Sequence, residues 1–241
     1  MVLSDVTAVL MAKRPEPGVV KTRLVGSGGL TQEAAAKLSW AMLRCTARRL
    51  CAASPRVILA VSPDGCGGDL AEALGVEFAQ IVDQGAGDLG RRLERVWEVV
   101  SGEGRIAFFG VDTPDVPVTA LREIPHALAN HDLAVGSTVD GGYWTLAAGA
   151  FHPEVIRGID WGSDRVYDQT RQRAAEAGLE VCALPRWYDV DQPSDVEALS
   201  RRLEERLGSS LAGSVDERAL RRLAEQIRIL TKSSASPESS T

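Results

Sequence analysis

Short, strongly apolar runs alternate with amphipathic helical patterns along most of this 241-residue chain. Several of the apolar runs are continuous, which is typical of strands in a sheet that helices cover on both faces. Strand–helix alternation of this kind favours a doubly wound, mainly parallel sheet. We therefore predict an α/β fold of three layers, with one large domain more typical than two for a chain of this length.

The apolar runs predict seven strands, at residues 6–11, 56–61, 77–82, 105–111, 132–138, 143–148 and 180–184. The intervening patterns predict six helices, at residues 31–53, 68–74, 89–100, 118–130, 163–177 and 194–207. Between the fifth and sixth strands, Asp140-Gly141 favours a tight reversal, so one strand of the mixed sheet is expected to run antiparallel. Thr31 is a suitable N-cap for the first long helix.

The C-terminal part of the sequence differs from the rest. We predict a main domain over residues 1–207, a Gly/Ser-rich linker followed by an amphipathic helix over 208–230, and a disordered Ser-rich tail over 231–241. The helix could pack back on the domain or join a subunit contact. The sequence does not decide between them, so a homodimer is possible.

Composition excludes several classes of function. The net charge of −6 argues against a nucleic-acid-coating protein, which needs a broad cationic surface. No apolar run approaches the roughly 20 residues of a membrane span, and the start of the chain lacks the pattern of a signal peptide. We therefore expect a cytoplasmic protein with no membrane partner. The four cysteines show neither Cys-x-x-Cys spacing nor a small secreted disulfide framework, so we expect free thiols. With three scattered histidines, they indicate neither a zinc site nor a catalytic triad.

A basic loop follows the first predicted strand, in the motif AKRPEPGVVKTRL. Four cations within eleven residues, on an acidic protein, favour an anionic partner. A strand that leads into a basic, glycine-bearing loop and then a helix is typical of phosphate sites in α/β proteins. The loop lacks the spacing of the common ATP-binding loop, and a solvated surface loop is the alternative. The predicted phosphate-binding residues here are Lys13, Gly18, Lys21, Thr22 and Arg23.

Asp112 emerges where the fourth predicted strand ends, at the sheet edge that carries the basic loop. A carboxylate beside phosphates requires an intervening cation, and Mg²⁺ combines one or two carboxylates with phosphate oxygens. Asp112 is therefore the leading candidate metal ligand. Asp115 is explained equally well by turn or capping chemistry before the next helix.

Further acids follow the last strand. Asp189 and Asp191 alternate in an extended segment, so their side chains are expected to point the same way. Asp191 is a candidate second metal ligand with Asp189 beside it, although helix capping is an equal alternative for Asp191. Asp195 is accounted for by the first turn of a helix.

Two weaker candidates complete the predicted site. Asp140-Gly141-Gly142-Tyr143 forms a hairpin signal, but its acid could also bind hydroxyls of a sugar or acceptor. Asp88 could contribute to nucleoside recognition, although it is also a good N-cap.

Together, the motifs AKRPEPGVVKTRL, QGAGDLGRRL, GVDTPDVP, VDGGYW, IDWGS and YDVDQPSD resemble the DUF2064 family over residues 5–207. This family, also known as radical-SAM/selenodomain-associated transferase 1, is placed in the nucleotide-diphospho-sugar transferase (GT-A) superfamily. The resemblance implies that the loop through Lys21 and Arg23 holds nucleotide phosphates. It also implies that Asp112 binds Mg²⁺ or Mn²⁺, with an acid from the Asp189/Asp191 pair assisting.

Three functions are compatible with these features. The favoured one is metal-dependent nucleotidyl transfer from a nucleoside triphosphate to a small anionic acceptor, with Lys21, Arg23 and Asp112 as the catalytic residues. A glycosyltransferase that uses a nucleotide sugar is the second, and a non-catalytic nucleotide-binding protein is the third.

Overall fold

The structure is a computed structural model that describes residues 1–26, 29–208 and 214–234. Its seven strands are β1 (Thr7–Lys13), β2 (Val57–Ser62), β3 (Gln80–Asp83), β4 (Ile106–Phe109), β5 (Leu133–Thr138), β6 (Tyr143–Ala148) and β7 (Val181–Trp187). The described α-helices are α1 (Gln32–Ala53), α2 (Gly67–Leu74), α3 (Leu89–Val100), α4 (Val118–Ala127), α5 (Val166–Glu176), α6 (Pro193–Gly208) and α7 (Val215–Ser234).

The strands form one mixed sheet in the order β3-β2-β1-β4-β6-β5-β7. Only β6 runs against its neighbours, pairing antiparallel with both β4 and β5, while the other pairs are parallel. The predicted antiparallel strand after Asp140-Gly141 is thus confirmed. Every residue of β2 and β4 is buried, whereas β3 and β7 alternate or are largely exposed. The continuous apolar runs therefore belong to central strands, as a sheet covered on both faces requires.

Helices cover both faces of the sheet and give the predicted three layers. One face packs against α1, α2 and α4, with Leu43, Leu70 and Leu121 in its core. The other packs against α3 and α5, where Trp97 lies among the buried residues. The predicted α/β class is confirmed.

A third apolar cluster lies outside the sheet, on the outer side of α1. There α6 and α7 pack against α1, with Leu38, Leu199 and Leu223 fully or almost fully buried. The amphipathic C-terminal helix thus packs back on its own domain. It ends at Ser234, beyond the predicted end at 230, and the rest of the predicted tail, 235–241, lies outside the described residues, as do linker positions 209–213.

Most predicted elements are present, and the differences are at their ends. Helix α5 begins at Val166 and not at 163, because the preceding residues form a turn in which the Ser163 hydroxyl donates to the Asp160 carbonyl. Strand β7 continues to Trp187 and includes Pro185, which an edge strand tolerates. Among the described residues, no helix combines the length and apolarity needed to cross a membrane.

Candidate functional site

The loop after β1 presents its cations in different ways. Lys21 has left-handed backbone angles (φ 52°, ψ 38°), which direct the chain into a 3₁₀ turn at Thr22–Leu24. Gly18 also has a positive φ, 74°, a conformation that glycine adopts without strain. Lys13, at the end of β1, donates from Nζ to the Val19 carbonyl at 3.0 Å and so closes the loop on itself.

Lys21 joins the two predicted metal ligands. Its Nζ lies 2.6 Å from Asp112 Oδ1 and 3.7 Å from Asp191 Oδ1, and it also donates to the Val190 carbonyl at 2.6 Å. The lysine side chain is only 6% exposed, whereas the Asp112 side chain is 55% exposed. Residues from the β1 loop, the end of β4 and the segment after β7 therefore converge, as the strand-end argument predicted.

Arg23 provides a second cation at the same place. Its Nη1 donates to Asp191 Oδ2 at 2.6 Å, and its side chain is 72% exposed. The Asp191 carboxylate therefore faces two cations. Asp195 instead accepts from the backbone N–H groups of Asp191 and Gln192, which fixes the start of α6.

Asp189 lies close to the other acids. Burial raises the pKa of its carboxyl group to about 6, and the negative charge of Asp140 adds to the effect. A cation placed nearby would favour the ionised form and lower that pKa. The carboxylates around this point are therefore suited to a cationic ligand.

The hairpin between β5 and β6 forms the opposite wall. The Asp140 carboxylate accepts from the Thr138 hydroxyl and from the Gly142 N–H, so it stabilises its own turn. A Cβ on Gly141 would lie 1.9 Å from the Asp164 carbonyl oxygen, so only glycine fits here. The hairpin is thereby packed against the segment that carries the IDWGS motif.

These walls enclose a cavity of about 540 Å³. Of the predicted site residues, its lining includes Arg23, Asp112, Asp140, Gly142, Tyr143, Asp189 and Asp191. Tyr143 packs edge-on against Trp161, with ring centroids 6.2 Å apart. Its buried hydroxyl has no hydrogen-bond partner among the described residues, and burial raises its pKa well above the usual range.

Sequence reasoning assigned no role to Trp161, Ser163 or Asp164, which also line the cavity. The contact that places them is the packing of Trp161 on Gly90, where a Cβ would lie 2.2 Å from the indole nitrogen, and the sequence alone carries no sign of it. Such a close approach requires glycine at position 90, and this makes the GDLG and IDWGS motifs neighbours.

Other predicted residues lie outside the cavity lining. Lys13, Gly18, Lys21 and Thr22 belong to the β1 loop, and Gly141 packs against the Asp164 backbone. Asp88 accepts from the Arg91 N–H at 2.9 Å and is the N-cap of α3. Thr31 likewise caps α1, as predicted.

Asp115 has a structural role. Its side chain is 3% exposed and pairs with Arg202 at 2.7 Å, while the Trp187 indole donates to its other oxygen at 3.1 Å. Neither metal binding nor helix capping describes this carboxylate.

The family model described as uncharacterized protein conserved in bacteria (DUF2064) matches residues 45–163. The predicted DUF2064 assignment is confirmed. The matched range contains Asp112 and Asp140, while Lys21 and Asp191 lie outside it. No curated protein matches the sequence significantly.

A solved structure from Desulfovibrio desulfuricans G20, named as a candidate nucleotide-diphospho-sugar transferase, is similar over nearly the whole of this chain. The two share 29% identity with a TM-score of 0.75, over 94% of this chain and 98% of that one. The bifunctional IspDF of Campylobacter jejuni is similar in fold alone, with 8% identity and a TM-score of 0.54 over 80% of this chain and 53% of its own. The predicted GT-A-like superfamily is thus confirmed.

Proposed function

We propose that this protein is a metal-dependent nucleotidyltransferase that joins a nucleoside monophosphate unit to a small anionic acceptor and releases pyrophosphate. The observation that carries the proposal is the convergence of Lys21 and Arg23 with Asp112 and Asp191 beside one cavity. The acceptor oxygen would form a bond to the α-phosphorus as the bond to the leaving pyrophosphate breaks. Such a reaction depends on positioning and charge neutralisation and needs no protein nucleophile.

The two cations have different parts in this proposal. The guanidinium of Arg23 is exposed at the cavity and can bind a phosphate oxygen in addition to Asp191. Lys21 is nearly buried and holds the carboxylates of Asp112 and Asp191 in place, neutralising part of their charge before any ligand arrives. Both residues therefore lower the repulsion that a polyphosphate would otherwise meet.

A divalent metal ion fits the donor set. Asp112 and Asp191 each direct a carboxylate oxygen at one cation, the Lys21 ammonium, so the pair is arranged around positive charge. In the described part of the chain no three His, Cys, Asp or Glu side chains are grouped as a metal site. Mg²⁺ needs only one or two carboxylates when phosphates and water supply the other ligands. Asp112 and Asp191 would hold the ion, with Asp189 beside them, and Mg²⁺ or Mn²⁺ would neutralise developing phosphate charge.

Glycosyl transfer from a nucleotide sugar is the second candidate. It is favoured by the similarity to the Desulfovibrio structure, whose name specifies a nucleotide-diphospho-sugar transferase. Here Asp140, at the opposite wall, would bind or activate an acceptor hydroxyl. The several cations of the β1 loop suit a triphosphate better, and this favours the first candidate. A nucleotide-binding protein without catalysis would bind the same ligands and form no product.

The proposal is tested by a thermal-shift screen of nucleoside triphosphates and nucleotide sugars, each with Mg²⁺ and with EDTA. A ligand that binds only the folded state raises its stability with the logarithm of its saturation. We expect one triphosphate to raise Tm in the presence of Mg²⁺. Incubation of that triphosphate with pools of phosphorylated and carboxylated acceptors should then release pyrophosphate.

The products distinguish the candidates. Pyrophosphate indicates nucleotidyl transfer, and a free nucleoside diphosphate from a nucleotide sugar indicates glycosyl transfer. Lys21→Ala should reduce turnover by roughly 10²-fold or more, the scale of losing one electrostatic stabiliser. Lys232→Ala, which removes the same charge from an exposed position on α7, serves as the matched control. A normal rate for Lys21→Ala would exclude Lys21 from the mechanism.

A further inference from the structure

A second concave site lies between α1 and α7. This α1/α7 groove has a volume of about 560 Å³. Residues at successive turns of α1 line one side, including Lys37, Trp40 and Arg44, and α7 contributes Arg222 and Leu223. None of the residues that line the Asp112 cavity lines this groove.

The groove concentrates positive charge. Lys37, Arg44, Arg48 and Arg222 line it, and none of these four forms a salt bridge with a carboxylate in the described residues. The one acid in the lining, Glu225, is paired with the Arg228 guanidinium at 2.6 Å. Four cations that form no salt bridge within the described part of the chain surround one groove, and in a protein of net charge −6 they favour an anionic ligand.

The floor of the groove is apolar. Ala219, Leu223 and the Cys45 thiol are buried beneath it. Trp40, which is partly exposed, forms one wall, and the Arg44 guanidinium lies 5.4 Å from the centre of its ring. Pockets for small molecules typically combine an apolar lining with a few charged groups and occupy about 300–1,000 Å³. The groove has the size, the apolar surface and the charges of such a site.

The groove also has a suitable length. Lys37 and Arg48 are separated by eleven residues of one helix, which corresponds to roughly 16 Å at 1.5 Å per residue. A ligand with phosphates at one end and a planar ring at the other can contact both the arginines and Trp40. A ring on an aromatic face and phosphates on guanidinium groups are each favourable contacts.

We infer that the α1/α7 groove binds a small organic phosphate with a planar ring, such as a nucleoside diphosphate. This site is separate from the Asp112 cavity and does not depend on the proposed transfer reaction. The phosphates of the ligand contact Arg44 and Arg222, and the ring of the ligand packs against Trp40.

The test is calorimetric titration of the full-length protein with ADP in the presence of EDTA. Three proteins are compared: the natural sequence, Arg44→Gln/Arg222→Gln and Arg122→Gln/Arg201→Gln. The last pair removes the same charge from exposed arginines on α4 and α6, away from both sites. We expect the groove variant to bind ADP at least tenfold more weakly, because each charged hydrogen bond lost is worth roughly that factor. The control should change by less than about twofold.

A second comparison tests the ring. Trp40→Leu should weaken ADP binding and leave the binding of inorganic pyrophosphate unchanged, and equal losses for both ligands would contradict the contact with the ring. If Lys21→Ala loses ADP binding and the groove variant keeps it, the binding belongs to the Asp112 cavity and the proposal is overturned. Absence of ADP binding up to millimolar concentration would also overturn the proposal. A dimer of the natural sequence that Arg44→Gln/Arg222→Gln dissociates would overturn it as well, because the groove would then be a subunit contact.

Discussion

Asp112 and Asp115 lie three residues apart in one loop, and each carboxylate pairs with a cation from a distant part of the chain. Asp112 pairs with Lys21 at 2.6 Å, and its side chain is half exposed at a cavity. Asp115 pairs with Arg202 at 2.7 Å, and its side chain is buried. The same residue type in the same motif therefore serves a candidate reaction centre in one case and the packing of helices in the other.

The difference lies in how completely each carboxylate is satisfied. Asp115 accepts from Arg202 and Trp187 and has almost no exposed surface left for a ligand. Among the described residues, Asp112 has one cationic partner, Lys21, and its side chain is 55% exposed. A buried carboxylate with all its partners in place stabilises the fold, whereas an exposed one beside a cavity is available for chemistry.

The largest expected effect is on stability, at Asp115. Asp115→Ala leaves the Arg202 guanidinium without its carboxylate in a mostly buried position. We expect the free energy of unfolding to fall by about 3 kcal/mol, the lower end of the range for breaking a buried pair. Urea unfolding followed by circular dichroism measures it. A loss below about 1 kcal/mol would show that Asp115 contributes no more to stability than an exposed acid does, and the contrast with Asp112 would disappear.

The second effect is on activity, at Asp112. Asp112→Asn keeps the shape of the side chain and removes its charge, so turnover in the pyrophosphate assay should fall by roughly 10²-fold or more. Because the Asp112 side chain is 55% exposed, and because Lys21 keeps Asp191 and the Val190 carbonyl as partners, the free energy of unfolding should change by less than about 1 kcal/mol. Asp168→Asn, on the exposed side of α5, is the control for charge. Large losses of both stability and activity would show that the two acids share one structural role.

The third effect is on stability, at Asp216, whose ion pairs hold α7 against α1 and α6. Asp216 pairs with Arg49 at 2.6 Å and with Arg206 at 2.8 Å. Asp216→Asn should cost about 2 kcal/mol, since hydrogen bonds to charged groups contribute about 1.5–3 kcal/mol each.

The Cys45 thiol donates to the Pro114 carbonyl, and its alkylation rate can show whether α7 stays packed on α1. Burial raises its pKa to about 12, so alkylation at pH 8.5 should be slow and should accelerate as pH rises. Asp216→Asn should make Cys45 react faster at a fixed pH, with the Arg122→Gln variant as control. An unchanged rate would show that the helix stays docked without this carboxylate.

The smallest effect is expected at an exposed pair on α7. Glu225 and Arg228 are three residues apart and both at least half exposed. Glu225→Gln should change the free energy of unfolding by no more than about 0.5 kcal/mol. A loss near that of Asp115→Ala would mean that burial does not separate the two kinds of ion pair.

Local chemistry made part of the structure predictable from the sequence. The caps at Thr31 and Asp88 and the reversal at Asp140 depend on neighbouring residues only, and all three are present. Asp112 could be placed at the sheet edge because the ends of parallel strands meet there. These predictions needed no knowledge of distant contacts.

The rest depended on distant contacts. Asp115 could not be told from Asp112 because its partner, Arg202, is 87 residues away. The docking of α7 was undecided because an apolar helix face carries no information about which surface it covers. The almost buried position of Lys21 results from acids supplied by two other segments, and a loop sequence gives no sign of them.

The anchoring of α7 has a practical consequence for anyone who shortens this protein. A chain that stops at Gly208 would match the extent of the recognisable motifs, but it would leave Arg49 enclosed without its carboxylate. It would also bare the apolar side of α1 that Leu220, Leu223 and Ile227 cover. Truncation at that apparent boundary is therefore expected to give an aggregating product, and expression trials should retain residues through at least Ser234.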